Sequence, residues 1–309
     1  MTPASPRRAY GLVLAAYVIW GFIPLYWPYL RPAGLAEVVA HRAVWSLAAA
    51  LVAVLLLRRG RELAVLLATR RTRALLAVSA AALLVNWLVF VGAAERGEGV
   101  DISLGYFINP LMTVAIGRVV LREAVRPGQW VALAGVCCGV VVLTVDAAMV
   151  PITGLGLALS WAVYGLAKKV ARFGAVESLA AETLLIAPVG LAYLGLLAAQ
   201  GRGHATAGGP LHALLLVGAG VVTIVPLVLF SAGAPHVPMV NLGPIQYVGP
   251  GIQFLLGVLL LHNPMSPGRW LGFAVIGVSL VGFVAEGRWA ATRRAPTAEA
   301  PARFAERVA

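Results

Sequence analysis

The sequence predicts an all-α integral membrane protein of ten transmembrane helices, arranged as two inverted-topology five-helix repeats. Three observations predict it. Apolar residues make up 61% of the 309 positions and charged ones only 12%, more hydrophobic surface than one soluble core can hide behind a polar shell. The apolar residues fall into ten runs, each close to the ~20 residues that cross about 30 Å of hydrocarbon. Finally, the stretch from Leu104 to Trp130 returns as a recognisable copy between Leu242 and Trp270.

The first run, 9–29, follows Arg7 and Arg8 as a signal peptide would. It is long and no small-x-small cleavage site follows, so it reads as a membrane helix. The others cover approximately 35–57, 74–94, 102–121, 128–146, 152–170, 178–199, 211–231, 239–261 and 268–286. Between the second and third, Arg61 to Arg73 is amphipathic and Arg-rich, which suits a segment lying on the membrane surface. Cys137 and Cys138 are adjacent in an apolar run and match no metal-ligand spacing, so they read as buried packing residues. The tail, 287–309, is rich in Ala, Pro, Glu and Arg without apolar periodicity and is expected to be disordered in the cytoplasm.

The net charge of +12 is not a nucleic-acid signature, because the basic residues sit in short clusters between the apolar runs. With a cytoplasmic N-terminus, nineteen Lys and Arg fall on the inner side and four on the outer, with Arg42 inside a span. That bias predicts both termini inside.

The repeat has an offset of 140. Pro110 falls on Pro250, Gly117 on Gly257, Leu121 on Leu261, and Pro127-Gly128-x-Trp130 on Pro267-Gly268-x-Trp270. Glu37 and Arg42 fall on Glu177 and Glu182 at the same offset, and Tyr17 to Gly21 parallels Trp161 to Gly165. Five spans per copy is an odd number, so the second copy enters the membrane from the opposite face. This divides the chain into a first five-helix repeat, 1–146, an inverted second, 147–286, and the tail. Inverted repeats are a common construction of secondary transporters, whose halves open one site alternately to either side.

The succession AYVIWGFIPLYW, AHRAVWS, NWLVF, SLGYFINPL, SWAVYGLAKK, AETLLIAP, TIVPLVLF and LGPIQYVGP resembles the RarD group of EamA-type transporters in the drug/metabolite transporter superfamily. The resemblance covers nearly the whole chain apart from the tail. It implies two inverted five-helix halves around a central cavity, acting as a permease with drug-efflux character. One departure is visible: the group commonly carries Gly-Glu after the ninth helix, where this chain has His262-Asn263, while the first half keeps Glu123. The resemblance, with 22 Arg against 2 Lys and abundant Ala and Gly, points to the inner (cytoplasmic) membrane of a bacterium with a GC-rich genome.

Helical spacing selects the candidate binding residues. Tyr17 and Trp20 share a face of the first span, and Trp161 and Tyr164 share one of the sixth together with Lys168. These aromatics suit an apolar or amphipathic solute, and equally helix packing. Tyr26, Trp27 and Tyr29 read as interfacial belt residues. Asn86, Tyr106, Asn109, Gln246, Tyr247 and Gln253 are polar groups within spans, and an amide in hydrocarbon turns toward protein or a wet cavity. Pro110 and Pro250 stand beside them and favour kinks. Among ionisable groups in spans, His41, Arg42 and Glu182 are the candidates for coupling or gating. Titration of Glu182 or His41 would couple transport to protons; bonding at helix ends is the structural alternative.

No HExxH, GxSxG or Walker motif is present, so the sequence predicts no enzyme, no cofactor and no metal. Any pumping then draws on an ion or solute gradient. The expected function is a secondary-active permease or exporter of small organic solutes working by alternating access in membrane lipid. The other class is a non-transporting membrane component, such as a lipid scramblase or assembly partner.

Overall fold

The computed structural model describes residues 6–147, 152–171, 173–260 and 265–294. Every regular element among them is helical: α1 (Pro6–Phe22), α2 (Leu35–Leu56), α3 (Gly60–Ala68), α4 (Arg70–Glu95), α5 (Gly99–Val119), α6 (Pro127–Asp146), α7 (Ile152–Ala171), α8 (Ala175–Ala199), α9 (Gly209–Gly233), α10 (Met239–Gln246), α11 (Val248–Leu255) and α12 (Pro267–Arg294). Nine segments among the described residues are long and apolar enough to cross a membrane. The segment from 152 to 171 is not one of them. At 20 residues α7 is long enough, but Trp161, Tyr164, Lys168 and Lys169 dilute its hydropathy.

Several boundaries differ from expectation for local reasons. α1 stops at Phe22, and the rest of the first run, with Pro24 and Pro28, forms two 3₁₀ turns; a proline's missing N–H and fixed φ interrupt the α ladder. The ninth run breaks at Tyr247 into α10 and α11 and ends in a π turn, Leu256–Leu260. Pro250 lacks the N–H that would bond the Gln246 carbonyl four residues back. Residues 261–264, with His262 and Asn263, lie outside the described residues. At the C-terminus α12 runs on to Arg294, through the first eight residues assigned to the tail. Gly287 alone does not stop it, Ala and Arg propagate it, and the next proline is Pro296. Residues 295–309 lie outside the described residues.

The Arg-rich segment between the second and third runs forms α3, which has no buried residue. Thr69 then caps α4, its hydroxyl accepting from the Thr72 N–H at 3.3 Å. Cys137 and Cys138 are exposed on α6, not buried as expected. Within an apolar span, exposure of a small thiol is contact with lipid tails, which costs nothing.

Packing brings distant helices together. α6 lies along α12, α5 along α7 and α10, α2 along α8 and α9, and α1 along α9 and α11. α6 and α12 approach closely at Gly139 and Gly272, where a Cβ on either would stand 3.0 or 3.2 Å from the other's carbonyl oxygen. Without a hydrophobic force between helices in lipid, such backbone proximity supplies the van der Waals contact that holds them. The main buried cluster joins Tyr17, Leu83, Trp87, Tyr164, Leu179, Leu227 and Phe230.

Candidate functional site

Polar and aromatic residues from seven helices and a 3₁₀ turn converge on a cavity of about 280 Å³. α1 contributes Tyr17 and Trp20, α4 Asn86 and Trp87, α5 Tyr106 and Asn109, and α7 Trp161. The broken helix contributes Gln246, Gly249, Pro250 and Gln253, while Arg42 of α2 and Trp27 of the 3₁₀ turn complete the wall. The spacing explains this: residues three and four apart stack on one helical face, and the break before Pro250 lets both Gln246 and Gln253 reach the space.

The amide groups are oriented by their neighbours. Asn86 Nδ2 donates to the Leu157 carbonyl and to Ser160 Oγ, each at 3.0 Å. Thr113 donates its hydroxyl to the Asn109 carbonyl at 3.0 Å, so toward Gln246 it acts as acceptor, taking the Nε2–H at 3.0 Å. Gln253 Nε2 donates to the Trp20 carbonyl at 3.2 Å. The amide nitrogens of Asn86, Gln246 and Gln253 are thus held by protein, while Asn109 Oδ1 and Gln246 Oε1 are buried without a partner among the described residues.

Arg42 is held without a carboxylate. Its Nε donates to Thr223 Oγ1 at 2.8 Å, and its Cζ lies 5.4 Å from the Trp27 ring centroid and 5.3 Å from that of Trp87. A charge at the centre of a span costs about 2.5–3.5 kcal/mol on insertion scales. Two aromatic faces at roughly 0.5–2 kcal/mol each offset much of that.

A second cavity, about 290 Å³, shares Tyr106, Pro250 and Gln253 with the first and extends past Phe254 to Ala147 and Arg269. Those last two residues stand where α6 ends and α12 begins, on the face opposite the N-terminus of α1. Toward the N-terminal face the path is filled. Trp161 Nε1 donates to the Tyr17 hydroxyl at 3.1 Å, and Trp161 packs edge-to-face on Trp20 and tilted on Phe230, at centroid distances of 5.1 and 5.3 Å. Below them Lys168 Nζ meets Glu182 Oε1 at 2.6 Å, and Ser79 donates to the same oxygen at 2.8 Å. At that face Lys169 lies 3.5 Å from Glu123 and donates to the Val237 carbonyl at 2.6 Å. The Val240 N–H donates to Glu123 Oε2 at 2.9 Å.

Eight of the ten candidate binding residues line the first cavity: Tyr17, Trp20, Asn86, Tyr106, Asn109, Trp161, Gln246 and Gln253. Tyr164 and Tyr247 lie outside it. Tyr164 is fully buried against Phe230, and the Tyr247 hydroxyl donates to the Phe107 carbonyl at 2.7 Å. Of the three ionisable candidates only Arg42 reaches the cavity. His41 is buried, its Nδ1 accepting from Trp45 Nε1 at 3.2 Å, and Glu182 belongs to the ion pair below the aromatic floor.

The EamA-like transporter family matches this chain twice, over residues 7–145 and 149–285. The chain belongs to the EamA-like transporter family. It is similar to the protein RarD of Streptomyces exfoliatus, 44% identical over 280 residues, covering 90% of this chain and 89% of that one. It is also similar to the protein RarD of Escherichia coli (strain K12), 36% identical and covering 92% and 96%. A solved crystal structure superposes with a TM-score of 0.70 at 18% identity over 91% of this chain and 98% of that one, which shows a common fold. The EamA chain is therefore a multi-pass membrane transporter of the drug/metabolite type. Its two matched segments both reach the cavity, the first through Tyr17, Asn86 and Asn109, the second through Trp161, Gln246 and Gln253.

Two residues of this EamA cavity escaped sequence reasoning. Trp27 reads as a belt residue because it ends an apolar run, yet it stacks on Arg42. Trp87 is adjacent to Asn86 but is not among the residues that helical spacing selects. The available signal was Arg42 itself: a cation inside a span requires partners, and tryptophans flanking nearby runs are the usual ones.

Proposed function

We propose that the chain is a secondary-active permease or exporter of small organic solutes, working by alternating access between two inverted five-helix halves, 1–146 and 147–286. Ten helices cross the membrane, α7 being the tenth, enclosed among α4 and α5 where its lysines are shielded. Both termini lie in the cytoplasm of a bacterial inner membrane, as the positive-inside bias suggests.

The inversion is supported by reciprocal contacts at equivalent positions. Glu37, at the start of α2, accepts from the His204 N–H at 2.6 Å, in the loop after α8. Glu177, at the start of α8, accepts from Arg59 at 2.6 Å, in the loop after α2. Likewise Gly128 packs on Glu286 and Gly268 on Asp146, all four related by the offset of 140.

The observation that carries the reading is the cavity itself, built from both halves and blocked toward the N-terminal face by the aromatic floor and the Glu123–Lys169–Val240 network. This arrangement is one end state of an alternating-access cycle, facing outward in the proposed orientation. Tyr17, Trp20, Asn86, Tyr106, Asn109, Trp161, Gln246 and Gln253 contact solute; Tyr164 and Tyr247 support them from behind. Arg42, His41 and Glu182 are the coupling or gating groups, with Glu182 or His41 as the candidate that couples transport to protons.

Transport by purified protein in proteoliposomes, with a drug and metabolite panel and with or without a proton gradient, tests this. Gradient-dependent movement of at least one solute is expected. Movement of none, together with lipid flipping in the same vesicles, would replace the permease with a scramblase.

A further inference from the structure

Resting on that permease reading, we infer that the transported solute is an organic anion, a carboxylate with a flat apolar body and a hydrogen-bond donor, and that Arg42 is its anchor. Four observations converge.

Arginine keeps its charge under all ordinary conditions and presents a planar fork of N–H groups that matches a carboxylate. Here Arg42 lines the cavity wall. Its Nε is spent on Thr223 and its faces lie against Trp27 and Trp87, so the plane is held without using the terminal N–H groups.

Among the described residues no carboxylate pairs with Arg42. The acidic groups are engaged elsewhere: Glu37 with His204, Glu123 with Lys169, Glu177 with Arg59, Glu182 with Lys168 and Glu286 with Arg126. Asp101 accepts from the backbone of Thr153 and Gly154 at 3.1 and 2.8 Å. A cation kept in a membrane cavity without an internal counter-ion selects for an anion arriving from outside and disfavours another cation.

The donor requirement comes from the amides. With its nitrogen committed to Thr113, Gln246 keeps Oε1 as a buried acceptor without a partner among the described residues, Asn109 Oδ1 is in the same state, and both side chains belong to the cavity wall. A solute supplying an N–H or O–H satisfies them; one with acceptors alone leaves them bare. The body of the solute meets Trp20, Trp161 and Tyr106, flat surfaces suited to a planar group.

Matched triplets decide between the alternatives: hydroxyaryl and hydroxyalkyl carboxylates, beginning with 4-hydroxyphenylacetate, each compared with its amide and its amine. Binding is read as the thermal shift of the full-length protein in detergent, and transport as counterflow in proteoliposomes. Carboxylates are expected to bind at least ten-fold more tightly than their amides, with the amines weakest. Arg42→Gln removes that preference and Arg42→Lys restores part of it. Equal or tighter binding of amides or amines by the wild-type protein overturns the inference while leaving the permease reading in place. So does an unchanged preference in a monodisperse Arg42→Gln protein. If Arg42→Gln does not fold, the wild-type ranking of carboxylate against amide and amine is sufficient to support or overturn the inference. Binding and movement of no solute of any charge would remove both readings.

Discussion

Lys168 and Glu182 form an ion pair at 2.6 Å with side chains only 4% and 1% exposed, directly beneath the aromatic floor of the cavity. The pair joins α7 to α8; Ser79 of α4 donates to Glu182 Oε1 and Lys168 donates to Ser178 of α8, while Glu182 Oε2 is buried without a partner among the described residues. Removing one partner strands a charge where neither water nor lipid can solvate it. Glu182→Gln or Lys168→Met should each cost about 3–5 kcal/mol, whereas Lys168→Met combined with Glu182→Leu should recover most of that. Unfolding in mixed micelles measures the difference. Glu182→Gln should also flatten the pH dependence of transport, and a profile matching the wild type would exclude Glu182 as the proton-coupling group.

Glu123 ties the turn after α5 to the start of α10 through the Val240 N–H, and pairs with Lys169 of α7. Charge-assisted hydrogen bonds of this kind contribute about 1.5–3 kcal/mol. Glu123→Ala should therefore shift the conformational equilibrium toward opening at the N-terminal face by roughly ten- to a hundred-fold. A cysteine placed at Asn241, with Cys137 and Cys138 replaced by Ala, should then react faster with an impermeant maleimide from that side. Unchanged reactivity would mean that the seal does not depend on Glu123.

Gly139 and Gly272 leave no room for a methyl group. Ala at either position pushes α6 and α12 apart, with an expected loss of about 1–3 kcal/mol. Gly277, on the same α12, faces open space, and Gly277→Ala should be neutral or slightly stabilising. Melting temperatures of the three variants in one detergent provide the comparison.

The proposed inversion puts the loop after α2 and the loop after α8 on opposite sides of the membrane. Cysteines at Arg58 and Arg202 in the same cysteine-free background should accordingly label from opposite sides in right-side-out and inside-out vesicles. Labelling of both from one side would refute the arrangement of ten spans.

The order of residues was enough to establish the all-helical membrane class and the family, because hydropathy and an internal repeat are local properties that survive without knowledge of neighbours. It also marked most of the cavity. A polar side chain inside an apolar span has to face protein, so Asn86, Asn109, Gln246 and Gln253 identified themselves, and the prolines beside them foretold where the ninth run breaks. Which faces meet was settled by packing alone. Trp27 and Trp87 lie 15 residues before and 45 after Arg42, and no periodicity relates the three; their stacking follows from how the turn after α1 folds back against α2 and α4. Lys168, counted from sequence as one more cytoplasmic charge, is buried because α7 is enclosed by its neighbours and Glu182 of α8 faces it. The exposed cysteines of α6 reflect the same principle in reverse: which side of an apolar helix meets lipid depends on where its partner helix lies, and for α6 that partner is α12, more than a hundred residues away.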